Sequence, residues 1–373
     1  MIYYSIIIPL LLATLLSLYI IPRIIVVSVK KELMGEESMV RERKKRRNVP
    51  RLGGVSLFPI LVISVDLPLA CTFFLHDQFS TNAENMSYFV QFMLMVTGLT
   101  AMYLVGVMDD LVGVSLKSKL LIEFLAALLI PLSGARIDHL DGLLGMNELS
   151  LWFSIPLTVA AVMYVSNTIS MREDIDGLAS GMAMIAFGVM AVLCGMAEQY
   201  LLLMVCVAMV GVLGPFLFRN VLGWRVGWRK LFFGDTGGLT IGYLLAYVVI
   251  SVSRMGGHEL PSGVGMACFG TLLIPMFDVL RVGITRLVNG RNIFRGGDQN
   301  HVHHRLMACG LTPRQVLVVL LLISLEYIGL NIWGVWVGMD LSLLLVVDVS
   351  TWGLMQVVIM YYKKRREFEG YVG

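Results

Sequence analysis

Long apolar runs separated by short polar segments make up most of the chain. The run 88–107 carries no charged residue, and roughly 20 such residues are enough for an α-helix to cross a bilayer. The runs are continuous rather than alternating, which favours membrane-spanning helices over a β-barrel. We therefore predict an all-α polytopic membrane protein with about eleven spans. The predicted spans are 3–27, 54–74, 87–108, 118–134, 151–169, 178–194, 199–218, 236–253, 263–282, 313–334 and 342–362.

The composition agrees with a surface that partly faces lipid. Only 15% of the residues are charged, against roughly 25% in soluble domains. Hydrophobic residues make up 57% and the mean hydropathy is +0.79. The first run has no basic residue before it and no small-residue cleavage site, so we expect a retained span rather than a signal peptide.

The distribution of Lys and Arg predicts the orientation of the chain. All but two of the 29 basic residues fall in alternate segments on one side, the exceptions being Arg136 and Arg254. Because basic residues concentrate in cytoplasmic loops, we predict that the N-terminus lies outside and the C-terminus in the cytoplasm, which requires an odd number of spans. The basic run 41–51 suits anionic headgroups or a phosphate substrate, and equally suits a simple cytoplasmic anchor.

The polar motifs all fall on the predicted cytoplasmic side. A channel or carrier places ionisable groups near mid-membrane along a path. An enzyme that joins a soluble substrate to a lipid needs them at one interface instead. We predict a single domain, 1–373, whose cytoplasmic loops 30–53, 109–117, 170–177, 219–235 and 283–312 form an active site.

Two carboxylates, Asp109 and Asp110, end the third apolar run. Adjacent carboxylates repel each other, so a divalent cation or a proton-transfer role explains the pair; a solvated helix end is the plainer interpretation. Lys117 and Lys119 follow closely and suit phosphate groups.

A second motif, "FFGDTGGLTIG" (232–242), opens the eighth run. Its Asp235 suits Mg²⁺, which prefers one or two carboxylates with phosphate oxygens. The glycines would let backbone N–H groups approach a phosphate, and Phe232 would stack on a base. A tight turn into a helix is the alternative explanation.

The third motif is the cluster His301, His303, His304 and Arg305 in the late cytoplasmic loop. Three histidines raise the alternative of a zinc site. The spacing lacks a convincing carboxylate or cysteine partner, and other arginines lie upstream. We therefore favour binding of an anion such as pyrophosphate.

Together these motifs resemble those of the polyprenyl-phosphate N-acetylhexosamine-1-phosphate transferase superfamily (glycosyltransferase family 4), which also includes phospho-MurNAc-pentapeptide translocase. The resemblance covers nearly the whole chain. "NVPRLGGVSLFP" (48–59) is similar to the family's Pro-x-x-Gly-Gly loop, and "GVMDDLVGVSLKSKL" (106–120) to its Asp-Asp motif. "FFGDTGGLTIG" is similar to its Gly-Asp-x-Gly-Ser motif, with Gly238 in place of Ser, and 275–306 to its late His-x-His-His loop.

The resemblance implies transfer of a sugar-1-phosphate, GlcNAc-1-phosphate by default, from a UDP-sugar to undecaprenyl phosphate. UMP would be released and a cell-envelope polysaccharide started, at the cytoplasmic face of a bacterial inner membrane. The implied cofactor is Mg²⁺, with Mn²⁺ as its substitute; no nucleic acid is expected, and a homodimer is compatible with the family. The implied catalytic residues are Asp109, Asp110, Asp235 and His303, with Asp235 and Asp109 as metal ligands. The implied substrate-binding residues are Asn167, Glu173, Asp176, Phe232, Lys119, His301, His304 and Arg305.

One motif departs from the family pattern Asn-x-x-Asn-x-x-Asp-Gly-x-Asp-Gly-Leu. Asn167 and Asp176 match it, but Ser170 stands in place of the second Asn, Glu173 in place of Asp, and Asp174 in place of Gly. The changes would shift sugar preference or weaken activity. The sugar, the choice of base between Asp109 and Asp110, and a one-step or two-step course stay open.

Two alternatives remain at this point. A transporter or flippase of lipid-linked substrates would carry ionisable residues inside the membrane, and Asp66 and Asp348 do fall within predicted spans; we expect both to face the interior of the bundle. A catalytically degenerate relative is the other alternative, motivated by the altered 167–178 motif.

Overall fold

The computed structural model describes residues 2–30, 52–76, 83–171, 175–223, 231–257, 259–290 and 300–372. Within these ranges the chain is helical and forms no β-strand, which confirms the predicted all-α class. The α-helices, labelled in chain order, are α1 (Ile2–Lys30), α2 (Leu57–His76), α3 (Ala83–Val112), α4 (Leu116–Leu132), α5 (Leu151–Ser170), α6 (Leu178–Met196), α7 (Tyr200–Leu222), α8 (Gly234–Ser253), α9 (Val264–Gly270), α10 (Leu273–Val288), α11 (Val302–Ala308), α12 (Pro313–Val337) and α13 (Leu341–Val372).

The helices confirm a polytopic membrane protein. Among the described residues, 9 helices are long and apolar enough to cross a bilayer. Two predicted spans look different in the structure. The span predicted at 118–134 corresponds to α4, which has 17 residues, and the span predicted at 263–282 is divided between α9 and α10, which are bent by 70°. The count of eleven spans and the orientation of the chain therefore stay predictions.

Helix α8 lies at the centre of the bundle. Every residue from Thr236 to Val252 is buried. Helices α3, α5, α6 and α9 surround it, together with the 3₁₀ helix Leu52–Ser56. A helix that is apolar on all sides is expected in such a position. Motifs carried by the surrounding elements thus come together at the N-terminus of α8.

Small residues let α8 approach its neighbours closely. A Cβ atom added at Gly238 would overlap the backbone of Ser170 on α5, and one at Gly242 would overlap the backbone of Ser166. Gly106 of α3 lies equally close to the start of α8. Small residues four positions apart allow this kind of backbone contact between membrane helices.

Replacing Gly238 by Ala should therefore destabilise the bundle, because the added methyl group overlaps backbone atoms that cannot rotate away. Overpacking of this kind lowers the free energy of unfolding by about 1–3 kcal/mol, and a lower midpoint of thermal unfolding in detergent would report it. Gly188→Ala in α6 is the matched control, since a Cβ atom there meets nothing within 4 Å. Equal midpoints for the two variants would contradict the close contact.

The early glycine motif is joined to the segment that precedes α8. The N–H of Gly53 donates to the carbonyl of Phe232 at 3.0 Å, and that of Gly54 donates to the carbonyl of Phe233 at 2.9 Å. A side chain at either glycine would overlap backbone atoms of this segment. The 3₁₀ helix therefore fixes the segment that leads into α8.

The two acidic residues inside predicted spans have different environments. Asp348 is buried, and its carboxylate accepts hydrogen bonds from Nδ2 of Asn331 at 3.1 and 3.2 Å. This pair joins α12 to α13, and the prediction that Asp348 faces the interior of the bundle is confirmed. Asp66 is exposed on the outer surface of α2, so the same prediction was wrong for Asp66.

Candidate active site

Three charged side chains from three helices meet at one point. Asp109 lies in the last turn of α3, Lys119 in the first turn of α4, and Asp235 in the first turn of α8. Nζ of Lys119 lies 2.8 Å from Oδ2 of Asp109 and 3.1 Å from Oδ1 of Asp235. We call these three residues the carboxylate cluster. One ammonium group thus compensates two carboxylates that would otherwise repel each other.

Asp110 does not share this arrangement with its neighbour. Its Oδ1 accepts from the N–H of Asp235 at 2.9 Å, and its Oδ2 accepts from the N–H and hydroxyl of Thr236 at 3.0 and 2.6 Å. Asp110 therefore caps the N-terminus of α8, where a negative charge is favoured by unpaired N–H groups and the helix dipole.

This cap changes the interpretation of the glycine-rich motif. The sequence suggested that backbone N–H groups of 234–238 cradle a phosphate, but those of Asp235 and Thr236 are bonded to Asp110. Gly238 faces Ser170, and Gly237 faces the ring of Phe233. Gly237 and Gly238 therefore serve packing, and the phosphate cradle was wrong for the two N–H groups that Asp110 occupies.

The departures at Ser170 and Gly238 form one contact. The Ser170 hydroxyl donates a short hydrogen bond to Oδ1 of Asp235, and the backbone of Ser170 fills the space in which a side chain at 238 would lie. A glycine at 238 is therefore required for this approach of α5 to α8. The altered motif therefore takes part in positioning Asp235.

Asn167 lies one turn before Ser170 on α5. Its Nδ2 donates to Oε2 of Glu123 at 2.6 Å and to the carbonyl of Met163 at 3.0 Å. Glu123 is fully buried on α4, one turn beyond Lys119. This carboxyl group extends the polar arrangement behind the carboxylate cluster.

The other candidates from the same loops are placed less completely. Glu173 lies outside the described residues. Asp176 is half-buried just before α6. Phe232 is half-buried, whereas Phe233 is buried and packs edge-on against Phe216 with ring centroids 4.9 Å apart. Of the two phenylalanines, only Phe232 has surface left for stacking on a base.

A second polar group surrounds Asp278, a fully buried residue of α10. Its Oδ2 lies 2.9 Å from Nδ1 of His301, and its Oδ1 accepts from the N–H of Val302 at 3.0 Å and from Arg281 at 2.8 Å. Because an ionised carboxylate only accepts hydrogen bonds, Nδ1 of His301 carries a proton and donates to Asp278. Asp278 thus fixes the orientation of the His301 ring and accepts from the first N–H of α11.

The remaining residues of the late motif pack around that histidine. The rings of His301 and His303 are parallel with centroids 5.6 Å apart, and His304 lies 4.2 Å beyond His303. His303 is fully buried, while His304 and Arg305 are half-buried. The structure therefore gives His303 a packing role between two histidines, and its catalytic role stays a prediction.

Arg305 is a partly buried positive charge that a negatively charged partner would stabilise. Its Nη1 donates to Oε1 of Gln356 on α13 at 2.5 Å. Burial, reinforced by the positive charge of Arg281, lowers the pKa of the Arg305 guanidinium. A nearby anion would offset this unfavourable burial of charge.

The described residues contain no group of three His, Cys, Asp or Glu side chains that could hold a metal, which gives no support to the zinc alternative.

Helix α5 connects the two polar groups. The hydroxyl of Tyr164, one turn before Asn167, donates a short hydrogen bond to the carbonyl of Met276 on α10. Met276 precedes Asp278 by two residues. The same helix therefore contacts both the carboxylate cluster and the helix that carries Asp278.

Comparison with known proteins agrees with this arrangement. The model of the family described as glycosyl transferase family 4 matches residues 92–253, a range that contains the carboxylate cluster and Asn167. Over this range the chain is similar to glycosyl transferase family 4. The histidines of the late motif lie beyond the matched range.

Several bacterial proteins are similar to the chain over long stretches. The probable undecaprenyl-phosphate N-acetylglucosaminyl 1-phosphate transferase of Bacillus subtilis is 27% identical over 305 residues, 80% of this chain and 78% of that protein. The undecaprenyl-phosphate alpha-N-acetylglucosaminyl 1-phosphate transferase of Yersinia pestis is 28% identical over 222 residues, 58% of this chain and 59% of that protein. Its Escherichia coli K12 counterpart is 25% identical over 285 residues, 75% and 71% of the two chains.

Four residues at this site were missed from sequence. Glu123 follows Lys119 by four positions, a spacing that puts both on one face of a helix, and this was an available signal. Asp278 and Arg281 have a similar spacing of three. Thr236 gave no signal, because its hydroxyl matters only through its contact with Asp110.

Proposed function

We propose that this protein transfers a sugar-1-phosphate, GlcNAc-1-phosphate by default, from a UDP-sugar to undecaprenyl phosphate and releases UMP. The observation that carries the proposal is the meeting of Asp109, Lys119 and Asp235 at helix ends. The names of the bacterial relatives support the same chemistry. The product would start a cell-envelope polysaccharide on the cytoplasmic side of a bacterial membrane.

Magnesium fits the carboxylate cluster. Mg²⁺ prefers one or two carboxylates together with phosphate oxygens and water. Asp109 and Asp235 supply two carboxylates from separate helices, both in contact with Nζ of Lys119. These two residues would hold the ion, which when bound neutralises charge on the pyrophosphate and on the departing UMP.

The protein's own groups would orient the reactants and hold a proton. An oxygen of the lipid phosphate forms a bond to the β-phosphorus, and the bond from that phosphorus to the oxygen of UMP breaks. We assign the base to Asp109 because it lies beside Lys119 in the carboxylate cluster, although its Oδ1 also accepts from the N–H of Val114 at 2.8 Å. The carboxylate of Asp110 accepts three hydrogen bonds at the N-terminus of α8 instead. Lys119 holds Asp109 in place and adds positive charge beside the reacting phosphates.

The late motif would bind the donor pyrophosphate. Asp278 holds the ring of His301 through Nδ1, and Arg305 and His304 are half-buried beside it. These side chains would donate hydrogen bonds to the pyrophosphate. Phe232 would stack on uracil, and Asp176 with Glu173 would contact the sugar nucleotide. Fixed rotamers of this kind reduce the entropy lost when a charged ligand binds.

The structure offers less support for the two alternatives. A transporter path needs ionisable groups in mid-membrane, but Asp348 is bonded to Asn331 and the carboxylate cluster lies at helix ends. A degenerate relative is expected to lose contacts at the altered motif. Ser170 instead donates to Asp235.

Release of UMP by the purified protein in detergent tests the proposal. We expect UMP only when undecaprenyl phosphate, Mg²⁺ and a UDP-sugar are all present, because the lipid phosphate is the nucleophile. UDP-GlcNAc, UDP-GalNAc and a 6-deoxy UDP-sugar, offered separately, would identify the donor. No UMP with any donor, from protein with a cooperative unfolding transition, would reject the proposal.

A further inference from the structure

A buried carboxyl group behind the carboxylate cluster has no assigned role. Glu123 is fully buried, its Oε2 accepts from Asn167 at 2.6 Å, and its Oε1 has no hydrogen-bond partner within the described residues. Burying a carboxyl group with a single hydrogen bond is unfavourable. We therefore expect that Glu123 is retained for a contact it makes rather than for stability.

The contacts of Asn167 show what this carboxyl group does. Both N–H bonds of the Asn167 amide are directed at acceptors, one at Oε2 of Glu123 and the other at the carbonyl of Met163. The reversed amide would bring Oδ1 against two acceptors, so the neighbours fix its orientation. Glu123 accepts at Oε2 whether it is ionised or neutral, because the hydroxyl of a neutral carboxyl can lie on Oε1.

Only one polar atom of Asn167 is then left for a ligand. Its Oδ1 makes no hydrogen bond within the described ranges, and the side chain is half-buried rather than enclosed. An amide oxygen accepts hydrogen bonds and repels phosphate oxygens. Amide oxygens also bind cations, but Mg²⁺ is usually held by carboxylates, phosphate oxygens and water. The ligand group at Asn167 is therefore a donor, that is, an O–H or an N–H.

We infer that Oδ1 of Asn167 accepts a hydrogen bond from a hydroxyl or amide N–H of the donor sugar. Glu123 is the positioning residue that holds the Asn167 amide in the orientation that leaves Oδ1 for the sugar. The inference rests on the proposed function. The sugar is favoured over the base because Asn167 lies one turn from Ser170, which bonds Asp235. Glu123 is also within electrostatic reach of Lys119 and Asp109. A sugar is attached directly to the phosphate that this cluster handles.

The test uses the full chain in detergent with undecaprenyl phosphate and Mg²⁺. UDP-GlcNAc is compared with analogues in which the group at position 2, 3, 4 or 6 of the sugar is replaced by hydrogen. On the unmodified protein one analogue should lose about tenfold in kcat/KM, the loss of one hydrogen bond. On Glu123→Met the same analogue and UDP-GlcNAc should have equal kcat/KM, because the Asn167 amide is no longer held in one orientation. This change should appear in KM rather than kcat.

Two further variants separate positioning from general destabilisation. Glu123→Gln keeps a carbonyl acceptor opposite Asn167 and should restore the tenfold dependence. Asp348→Leu removes the acceptor from the other buried Asn–carboxylate pair, that of Asn331, and should retain the full dependence. Inhibition by UMP should be the same for Glu123→Met and the unmodified protein, since UMP carries no sugar beyond its ribose.

The outcomes distinguish this inference from the proposed function. Turnover with the same analogue losses in Glu123→Met and the unmodified protein would overturn the inference alone. Weakened inhibition by UMP, in parallel with UDP-GlcNAc, would place the group read by Asn167 on the nucleotide and also overturn it. Absence of turnover by the unmodified protein would overturn both.

Discussion

Asp235→Asn is expected to lower Mg²⁺-dependent UMP release by about 10³-fold, the size of effect seen when a preorganised electrostatic group is lost. The carboxylate of Asp235 faces Lys119 and accepts from Ser170. An amide keeps the shape but loses the charge that would hold the cation. Initial rates over a range of Mg²⁺ concentrations would measure the loss, and the midpoint of thermal unfolding would show that the variant is folded.

The matched control is Asp340→Asn. Asp340 is exposed and accepts from the N–H of Leu343 at the start of α13, a capping role that Asn also fulfils. We expect normal UMP release from this variant. Full activity of Asp235→Asn would remove Asp235 from the mechanism, and equal losses in both variants would mean that the assay reports stability alone.

Asp109→Ala and Asp110→Ala should fail in different ways although the residues are adjacent. Asp110→Ala leaves two N–H groups and one hydroxyl at the start of α8 without their acceptor. Loss of such a cap lowers the free energy of unfolding by about 2–4 kcal/mol. Asp109→Ala removes a partner of Lys119 and the proposed base, so kcat should fall by about 10²- to 10³-fold with a smaller change in stability. Thermal unfolding and kcat, measured on the same preparations, separate the two effects.

Asn substitutions refine this comparison. Asp110→Asn retains an acceptor oxygen for the N-terminus of α8 and should recover much of the stability. Asp109→Asn retains the shape near Lys119 but cannot take a proton, so its kcat should stay low. A stable, inactive Asp110→Ala together with an active Asp109→Asn would reverse the two roles.

The hydrophobic pattern predicted the helices well, because a bilayer requires every backbone polar group to be satisfied within the segment. The nine described helices that can span a membrane all fall on predicted runs. The bend between α9 and α10 was not predicted. A continuous apolar run carries no information about where its helix changes direction against neighbouring helices.

The residues of the site were found through the family resemblance of separate motifs, and the structure brings several of them together. Asp109, Lys119 and Asp235 meet, although 125 positions separate Asp110 from its partner Asp235 in sequence. The division of labour between Asp109 and Asp110 was not available from sequence. Consecutive residues of a helix point about 100° apart, and only the position of α8 decides which of them meets its N-terminus.

Sequence by itself determined that this chain is a helical membrane protein and predicted which polar motifs form the candidate site, since segment hydrophobicity and residue type are local properties. Tertiary structure alone decided that Asp110 caps α8, that Gly238 accommodates Ser170, and that Glu123 orients Asn167. Each of these is a contact between helices. Its existence depends on distances of a few ångströms between backbones, which no single segment encodes.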